Sequence, residues 1–381
     1  MTLPVALNKL SSYEPEHVEN ALRQLLEPLG GMKAFVKPGQ KVLIKPNLLM
    51  GKPPEKAVTT HPEIVRQTIL LAQEAGGIIY VGDSPGLGKS EVVARKCGVY
   101  DVIKSTGATF APFEVSRPIT IKDNSGTFHH LEVAADVMDA DVIINLPKLK
   151  THQMMGLTGA VKNLFGLIVG MRKVRMHLQA GTNKSFFALM LLELAERFEP
   201  ALTIMDAVLG MEGNGPGSGE PVLLKTVLAS KHTLALDAVA IALVGLSTDK
   251  VWTQKVAYET GRLGSTLDQV KLLGTPLEEL KVSGFRPAKT SDINFGLPAP
   301  FKNLLKNSVT SQPSISADCQ LCGQCISHCP PSAMKIRRGQ VTIDYGLCIR
   351  CFCCQELCPH GAIKTEQGLL LRLYEFINQR R

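Results

Sequence analysis

Short apolar runs alternate with longer stretches of helical period along most of the chain. KVLIKPNLL, IIYVGDSPG, DVIINLPKLKTH and ALTIMDAV read as buried strands, each a block of Val, Ile and Leu that closes in polar residues. Between and after them, THPEIVRQTILLAQEAGG, SEVVARKCGVYDVIKSTG, NKSFFALMLLELAERFE, TLALDAVAIALVGL and KVWTQKVAYETG read as helices. The first of these helices carries its own boundaries: Thr60 or His61 opens it, Pro62 suits its first turn and Gly76 ends it. PITIKDNSGTFHHLEV reads as a hairpin turning at DNSG. Apolar strands alternating with helices predict an α/β domain, a mainly parallel sheet flanked by helices, over residues 1–285. Residues 286–316 are rich in Pro, Ser, Asn and Lys, show no period and read as a linker. A small C-terminal domain then spans 317–366, and 367–381 reads as a short amphipathic helix.

Ligands of parallel sheets bind beyond the carboxyl ends of the strands. Four strand ends here are polar: IKPNLL, VGDSPG, INLPKLKTH and IMDAVLGMEGNGPGSG. Were those strands neighbours, Lys45, Asn47, Asp83, Asn145, Lys148, Lys150, His152 and Asp206 would converge on one edge, with Lys162 and Asn163 added by TGAVKNLFG. From Val142 to Leu192 the chain has seven Lys or Arg, two His and no acidic residue, which favours an anionic ligand. Lys45, Asn47, Asn145, Lys148, Lys150, Lys162 and Asn163 are therefore the candidate ligand clamp, and His152, His61 and Asp83 the candidate proton carriers. Arg172, Lys173 and Arg175 read as a solvated face, or as part of a lid over 166–183. GDSPGLGKSE is not a nucleotide-hydrolysing loop, because Asp83 stands where the first glycine is required. GNGPGSG precedes a strand rather than a helix, so it is either a cover for a flat cofactor or a connection.

Ten cysteines sharpen the picture. Cys319, Cys322, Cys325 and Cys329 have the spacing C-x2-C-x2-C-x3-C-P, and Cys348, Cys351, Cys354 and Cys358 repeat it. CPPSAMKI and CPHGAIKT extend the duplication past the cysteines. The repeat resembles the bacterial two-cluster ferredoxins over residues 317–366. That resemblance implies an α+β ferredoxin-like domain with two [4Fe-4S] clusters, one on Cys319, Cys322, Cys325 and Cys358, the other on Cys348, Cys351, Cys354 and Cys329. Zinc favours separated ligand pairs over a triple with a crossover. Cys353 and Cys97 fall outside the repeat and read as a bystander and a small buried hydrophobe, and His328 and His360 flank cysteines without an assigned part. In the front domain, KPNLL, the His-Pro of THPE, GDSPG, LPKLKTH and GAVKNLFG resemble the family called domain of unknown function 362, over about residues 35–245. Ferredoxin-type modules occur fused to that domain.

Composition limits the partners. Aromatic residues are 5% of the chain, too few for a stacking-based nucleic-acid site. The formal charge of +8 is a weak argument for DNA, since eight thiolates around two clusters would lower it by about 4. No apolar run is long enough to span a membrane, and the first ten residues do not resemble a signal peptide. A cytoplasmic location follows, with cysteines as thiols or metal ligands. The functional expectation is an iron–sulfur oxidoreductase: a redox partner protein donates electrons, two clusters carry them, and an anionic organic substrate or a flavin- or deazaflavin-like cofactor receives them at the strand ends. The alternative is a non-enzymatic electron carrier whose front domain docks a partner enzyme. The sequence leaves the oligomeric state open, a homo-oligomer included.

Overall fold

The computed structural model describes residues 2–86, 88–120, 130–170, 172–289 and 310–368. The DNSG turn with His129, most of the 286–316 linker and residues 369–381 of the expected C-terminal helix lie outside the described residues. The apolar runs become strands β1 (Leu3–Lys9), β2 (Lys41–Pro46), β3 (Ile78–Val81), β4 (Thr109–Phe110), β5 (Ser116–Thr120), β6 (His130–Ala134), β7 (Val142–Leu146), β8 (Lys148–His152), β9 (Gly156–Thr158), β10 (Leu202–Glu212), β11 (Glu220–Ser230) and β12 (Val270–Gly274). The central sheet has the order β12-β1-β11-β10-β7-β2-β3-β4, with β8 pairing β10 and β9 off that path. β10, β7, β2, β3 and β4 run parallel, and β12 runs parallel to β1. The sheet is therefore mainly parallel and α/β, with an antiparallel insert where β11 pairs β10 and β1.

Local chemistry explains the boundaries. Helix Pro62–Glu74 starts where His61 Nδ1 accepts a hydrogen bond from the Glu63 N–H, and Pro62 occupies the first turn. The run expected as one helix over SEVVARKCGVYDVIKSTG is two, Ser90–Lys96 and Val99–Ser105, because Gly98 between them adopts φ +79°. DVIINLPKLKTH is likewise two strands. Pro147 interrupts the run, β7 pairs the start of β10, and β8 resumes further along it with Lys148 opposite Asp206. GNGPGSG connects β10 to β11 as the loop of a long antiparallel hairpin.

The cysteine-rich segment forms two small ladders: β13 (Ser311–Ile315) with β16 (Ile363–Gln367), and β14 (Met334–Arg337) with β15 (Gln340–Ile343). It does not hang free. Cys351 and Cys353 belong to the same buried apolar cluster as Phe113, Met154, Phe165 and Leu167 of the front domain. Lys52 Nζ donates to the Pro359 carbonyl at 2.7 Å. The hairpin loop β10–β11 packs so closely that a Cβ on Gly217 would lie 2.9 Å from the Glu356 carbonyl oxygen. Gly217→Val should press on the Glu356 carbonyl and on Met50 and push the two parts away from each other. The backbone amides of Glu356 and Leu357 should then exchange with solvent at least several-fold faster than in the wild type, and an unchanged rate would refute this close packing.

Candidate functional site

The carboxyl ends of β2 and β7 and the start of β10 carry a row of polar side chains. Lys45 pairs with Asn145 in register, and Asn145 with Thr203. Lys45 is fully buried, and its ammonium lies 2.8 Å from Asp83 Oδ1, just beyond the end of β3. Burial pushes the Lys45 pKa down and Asp83 opposes the shift. Asp83 Oδ2 accepts from the Leu48 N–H at 2.8 Å, so the carboxylate is held at both oxygens. Gly166 covers this pair; a Cβ there would lie 2.0 Å from Asp83 Oδ1. An amide chain runs alongside: Asn47 donates to Asn163 at 2.9 Å, and Asn163 to Asn145 at 2.8 Å. Lys150 Nζ donates to Asn47 Oδ1 at 2.9 Å and to the Val58 carbonyl at 2.6 Å. With no carboxylate in contact, burial lowers the Lys150 pKa to about 7.

A second buried ion pair lies apart from the first. Lys148 Nζ is 2.7 Å from Asp206 Oδ2, a consequence of the cross-strand register. Tyr13 donates to Asp206 Oδ1 at 2.8 Å and accepts from Lys148 at 3.0 Å. The His61 ring stacks on Tyr13 with centroids 3.5 Å apart, and its backbone N–H donates to Asp206 at 2.9 Å. Burial lowers the His61 pKa to about 4, so the ring is neutral.

A cavity of about 370 Å³ opens beside the Lys45–Asp83 pair. The front domain contributes Asn47, Asp83, Lys162, Asn163 and Lys173, with Phe165 and His177 as its aromatic wall. The cysteine-rich segment closes the other side with His328, Cys353, Glu356 and Leu357. Lys173 Nζ donates to the Ser84 and Pro85 carbonyls and to Ser84 Oγ, and burial lowers its pKa to about 8. Lys162 has no hydrogen bond or ion pair among the described residues; its ammonium stands 5.9 Å over the Phe165 ring. His177 stacks on Phe187 at 4.3 Å, and its buried Nδ1 has no partner. Burial lowers its pKa to about 3. His152 Nδ1 accepts from the Met154 and Met155 N–H groups, which leaves the proton on Nε2, 3.5 Å from Glu356 Oε2. Burial, then Lys162, lowers the His152 pKa to about 4. Burial opposes ionisation of Glu356, but Lys162 and His152 outweigh it and hold the carboxyl well below its usual range.

The cysteines gather in two sets. Cys319, Cys322, Cys325 and Cys358 line one space of about 20 Å³, and Cys329, Cys348, Cys351 and Cys354 line another of about 20 Å³. All ten cysteines are free of disulfides. The duplication extends to hydrogen bonds: the Ala333 N–H donates to Cys329 Sγ at 3.2 Å and the Ala362 N–H to Cys358 Sγ at 3.3 Å. Among the described residues no three His, Cys, Asp or Glu converge tightly enough to hold a single metal ion.

The family described as domain of unknown function, DUF362, matches residues 42–242. The chain belongs to the DUF362 family. A thylakoid-associated protein of Synechocystis sp. is 38% identical over 308 residues, covering 81% of this chain and 95% of its own length. The structure of the lactate racemase apoprotein from Thermoanaerobacterium thermosaccharolyticum aligns at TM-score 0.39 and 15% identity over 60% of this chain and 54% of its own. So remote a likeness carries no argument. No helix among the described residues is long and apolar enough to cross a membrane.

In this DUF362 protein the strand-end residues converge, but not all reach the cavity. Asn47, Asp83, Lys162 and Asn163 line it. Lys45, Asn145 and Lys150 support that wall from behind. Lys148 and His61 are corrections: Lys148 is committed to Asp206 and Tyr13, His61 caps a helix, and neither lines the cavity. Asp83 lines the cavity with its carboxylate ion-paired to Lys45 at Oδ1 and accepting from the Leu48 N–H at Oδ2. His152 faces Glu356 across the junction of the two parts. Lys173 leaves its expected solvated face, Cys353 and His328 gain a place in the wall, and the expected lid is in part a packed helix, Arg172–Ala180. His177 was missed because a lone histidine at helical spacing carries no signal of what covers it.

Lys150 gives a pH prediction. Its folded pKa of about 7 lies below the unfolded value near 10.4, so the unfolded chain binds the extra proton between those values. Stability from this residue therefore rises with pH above about 7, by at most about 1.4 kcal/mol per pH unit. Lys150→Met should flatten the rise of the denaturation midpoint between about pH 7 and pH 9. A parallel slope in wild type and variant would show that Lys150 does not titrate in that window.

Proposed function

We propose that this DUF362 protein is an iron–sulfur oxidoreductase that passes electrons from an external donor protein, through two [4Fe-4S] clusters, to an anionic organic substrate or a flavin- or deazaflavin-like cofactor in the cavity. One observation carries the reading: the same cavity is lined by Lys162 and Lys173 of the front domain and by Cys353, Glu356 and Leu357 of the cysteine-rich segment. The donor set suits the clusters. Two quartets of thiols, each around its own small space and neither tight enough for one ion, fit polynuclear clusters better than zinc. Bound there, the clusters would supply electrons one at a time. Both quartets adjoin the cavity wall along the chain: Cys353 lies between Cys351 and Cys354, His328 precedes Cys329, and Leu357 precedes Cys358. Ten cysteines without a disulfide among them suit a reducing compartment, and the cytoplasm is our reading of location.

The chain's own residues do the rest. Lys162, the ammonium without a hydrogen bond or ion pair, binds the anionic end of the ligand. Asn47 and Asn163 orient it, held in turn by Lys150 and Asn145. Phe165 and Leu357 cover its apolar part and exclude water. His177, neutral and unpartnered at Nδ1, offers a hydrogen bond from the aromatic wall.

Lys162→Ala tests this arrangement. Removing one charge-assisted contact should weaken binding about 10- to 100-fold. Anaerobic purification followed by mass spectrometry of co-purifying small molecules identifies the ligand, and titration with it gives the affinity. The visible spectrum of the reduced and oxidised clusters should be the same in wild type and variant. Unchanged affinity would remove Lys162 from the site. A wild-type cavity that never retains a small molecule, in a protein whose electrons pass only to another protein, would favour the carrier reading.

A further inference from the structure

One hairpin is shared by both cysteine quartets. β14 and β15 pair so that Ile336 faces Val341 across the ladder and Met334 faces Ile343. Val341 lines the space of the first quartet, and Met334 and Ile343 line that of the second. Strand alternation sends the intervening positions to the opposite face, and Lys335 and Arg337 are exposed. Arg338 and Gly339 form the two-residue turn with φ +49° and +73°. Asn, Asp and Gly are the residues that such a turn favours, whereas Arg338 holds an exposed third cation at the tip in a left-handed conformation. Ile336 is 52% exposed among these charges. From Lys335 to Ile343 there is no acidic residue.

We infer that the outer face of this hairpin and its turn, Lys335, Arg337 and Arg338, is the docking surface for an acidic one-electron carrier protein. The inference rests on the two-cluster reading above and deepens it by naming the entry point. A hairpin is a single layer, so a protein seated on its outer face lies one sheet thickness from both quartets. No residue of the hairpin lines the cavity, which the cysteine-rich segment walls instead with His328, Cys353, Glu356 and Leu357. Entry and exit are thus separate surfaces. Three exposed cations on that face and its turn steer an acidic partner into encounter, and Asp344, just past the ladder, is the next acidic residue along the chain. An anionic membrane surface would be attracted by the same charges, but it gives no reason for the hairpin to sit over the cysteines.

The test is the rate at which the holoprotein's clusters are reduced, read in stopped flow by their visible absorbance. A plant-type [2Fe-2S] ferredoxin serves as the acidic protein probe and the methyl viologen radical cation as a small cationic control. The variant is Lys335→Gln, Arg337→Gln and Arg338→Asn together; Asn suits the turn, so the hairpin should persist, and its thermal midpoint is checked. With ferredoxin, the wild-type rate should fall steeply from about 10 to about 150 mM salt, and the variant should be at least about tenfold slower at the low end. With methyl viologen the two proteins should match. Equal ferredoxin rates in variant and wild type, or an equal loss with both reductants, overturns the docking surface. So does charge-dependent sedimentation with vesicles containing anionic lipid while ferredoxin rates stay unaltered. A wild-type holoprotein that methyl viologen leaves unreduced would instead bring down the two-cluster reading itself.

Discussion

Burying an ammonium is among the most costly acts in a fold, and this sheet buries three of them within one strand edge. Lys45, Lys148 and Lys150 are each at most 1% exposed. Each is tolerated through a different arrangement: a carboxylate from the next strand end, a carboxylate placed by cross-strand register, and two neutral oxygens. Removing one partner would leave a charge in low dielectric, a loss of about 3–5 kcal/mol. The polar edge is therefore rigid. Its geometry fixes where Asn47, Asn163 and the cavity floor lie.

The same constraint explains the close packing around it. Gly166 can pass over the Lys45–Asp83 pair only because it lacks a Cβ. Asp237 accepts from the Ala160 and Val161 N–H groups and so anchors the short helix that carries Lys162 and Asn163. Burial raises the Asp237 pKa to about 7, against those two hydrogen bonds. Against this fixed wall the cysteine-rich segment supplies the opposite one. Its Glu356 meets His152 and feels Lys162, so the charge balance of the cavity is a property of both parts together. A front domain alone would have an open polar edge rather than a pocket.

How much of this was legible in the sequence differs from residue to residue. The strand runs and the helix opened by His61 and Pro62 could be read because local chemistry decides them. Lys45 and Asp83 could be flagged, since each ends an apolar run at a strand's carboxyl end. Their pairing with each other could not, because it depends on β2 and β3 being adjacent. Lys148 and Lys150 look equivalent in LPKLKTH, two residues apart on one strand face. Only the offset of β8 along β10 gives one an aspartate and the other an asparagine. Lys173 and Cys353 looked like surface and bystander, His177 lay unremarked in the expected lid, and each faces the cavity because something distant in sequence covers it.

The sequence alone determined the periodicities, the duplicated cysteine spacing and the identity of the polar strand ends, since these follow from neighbours along the chain. The tertiary structure decided which of those polar groups are consumed in holding one another and which stay free to meet a ligand. The reason is physical: whether a buried charge is paired depends on sheet order, register and the docking of a segment more than a hundred residues away. None of these is encoded in any single local window.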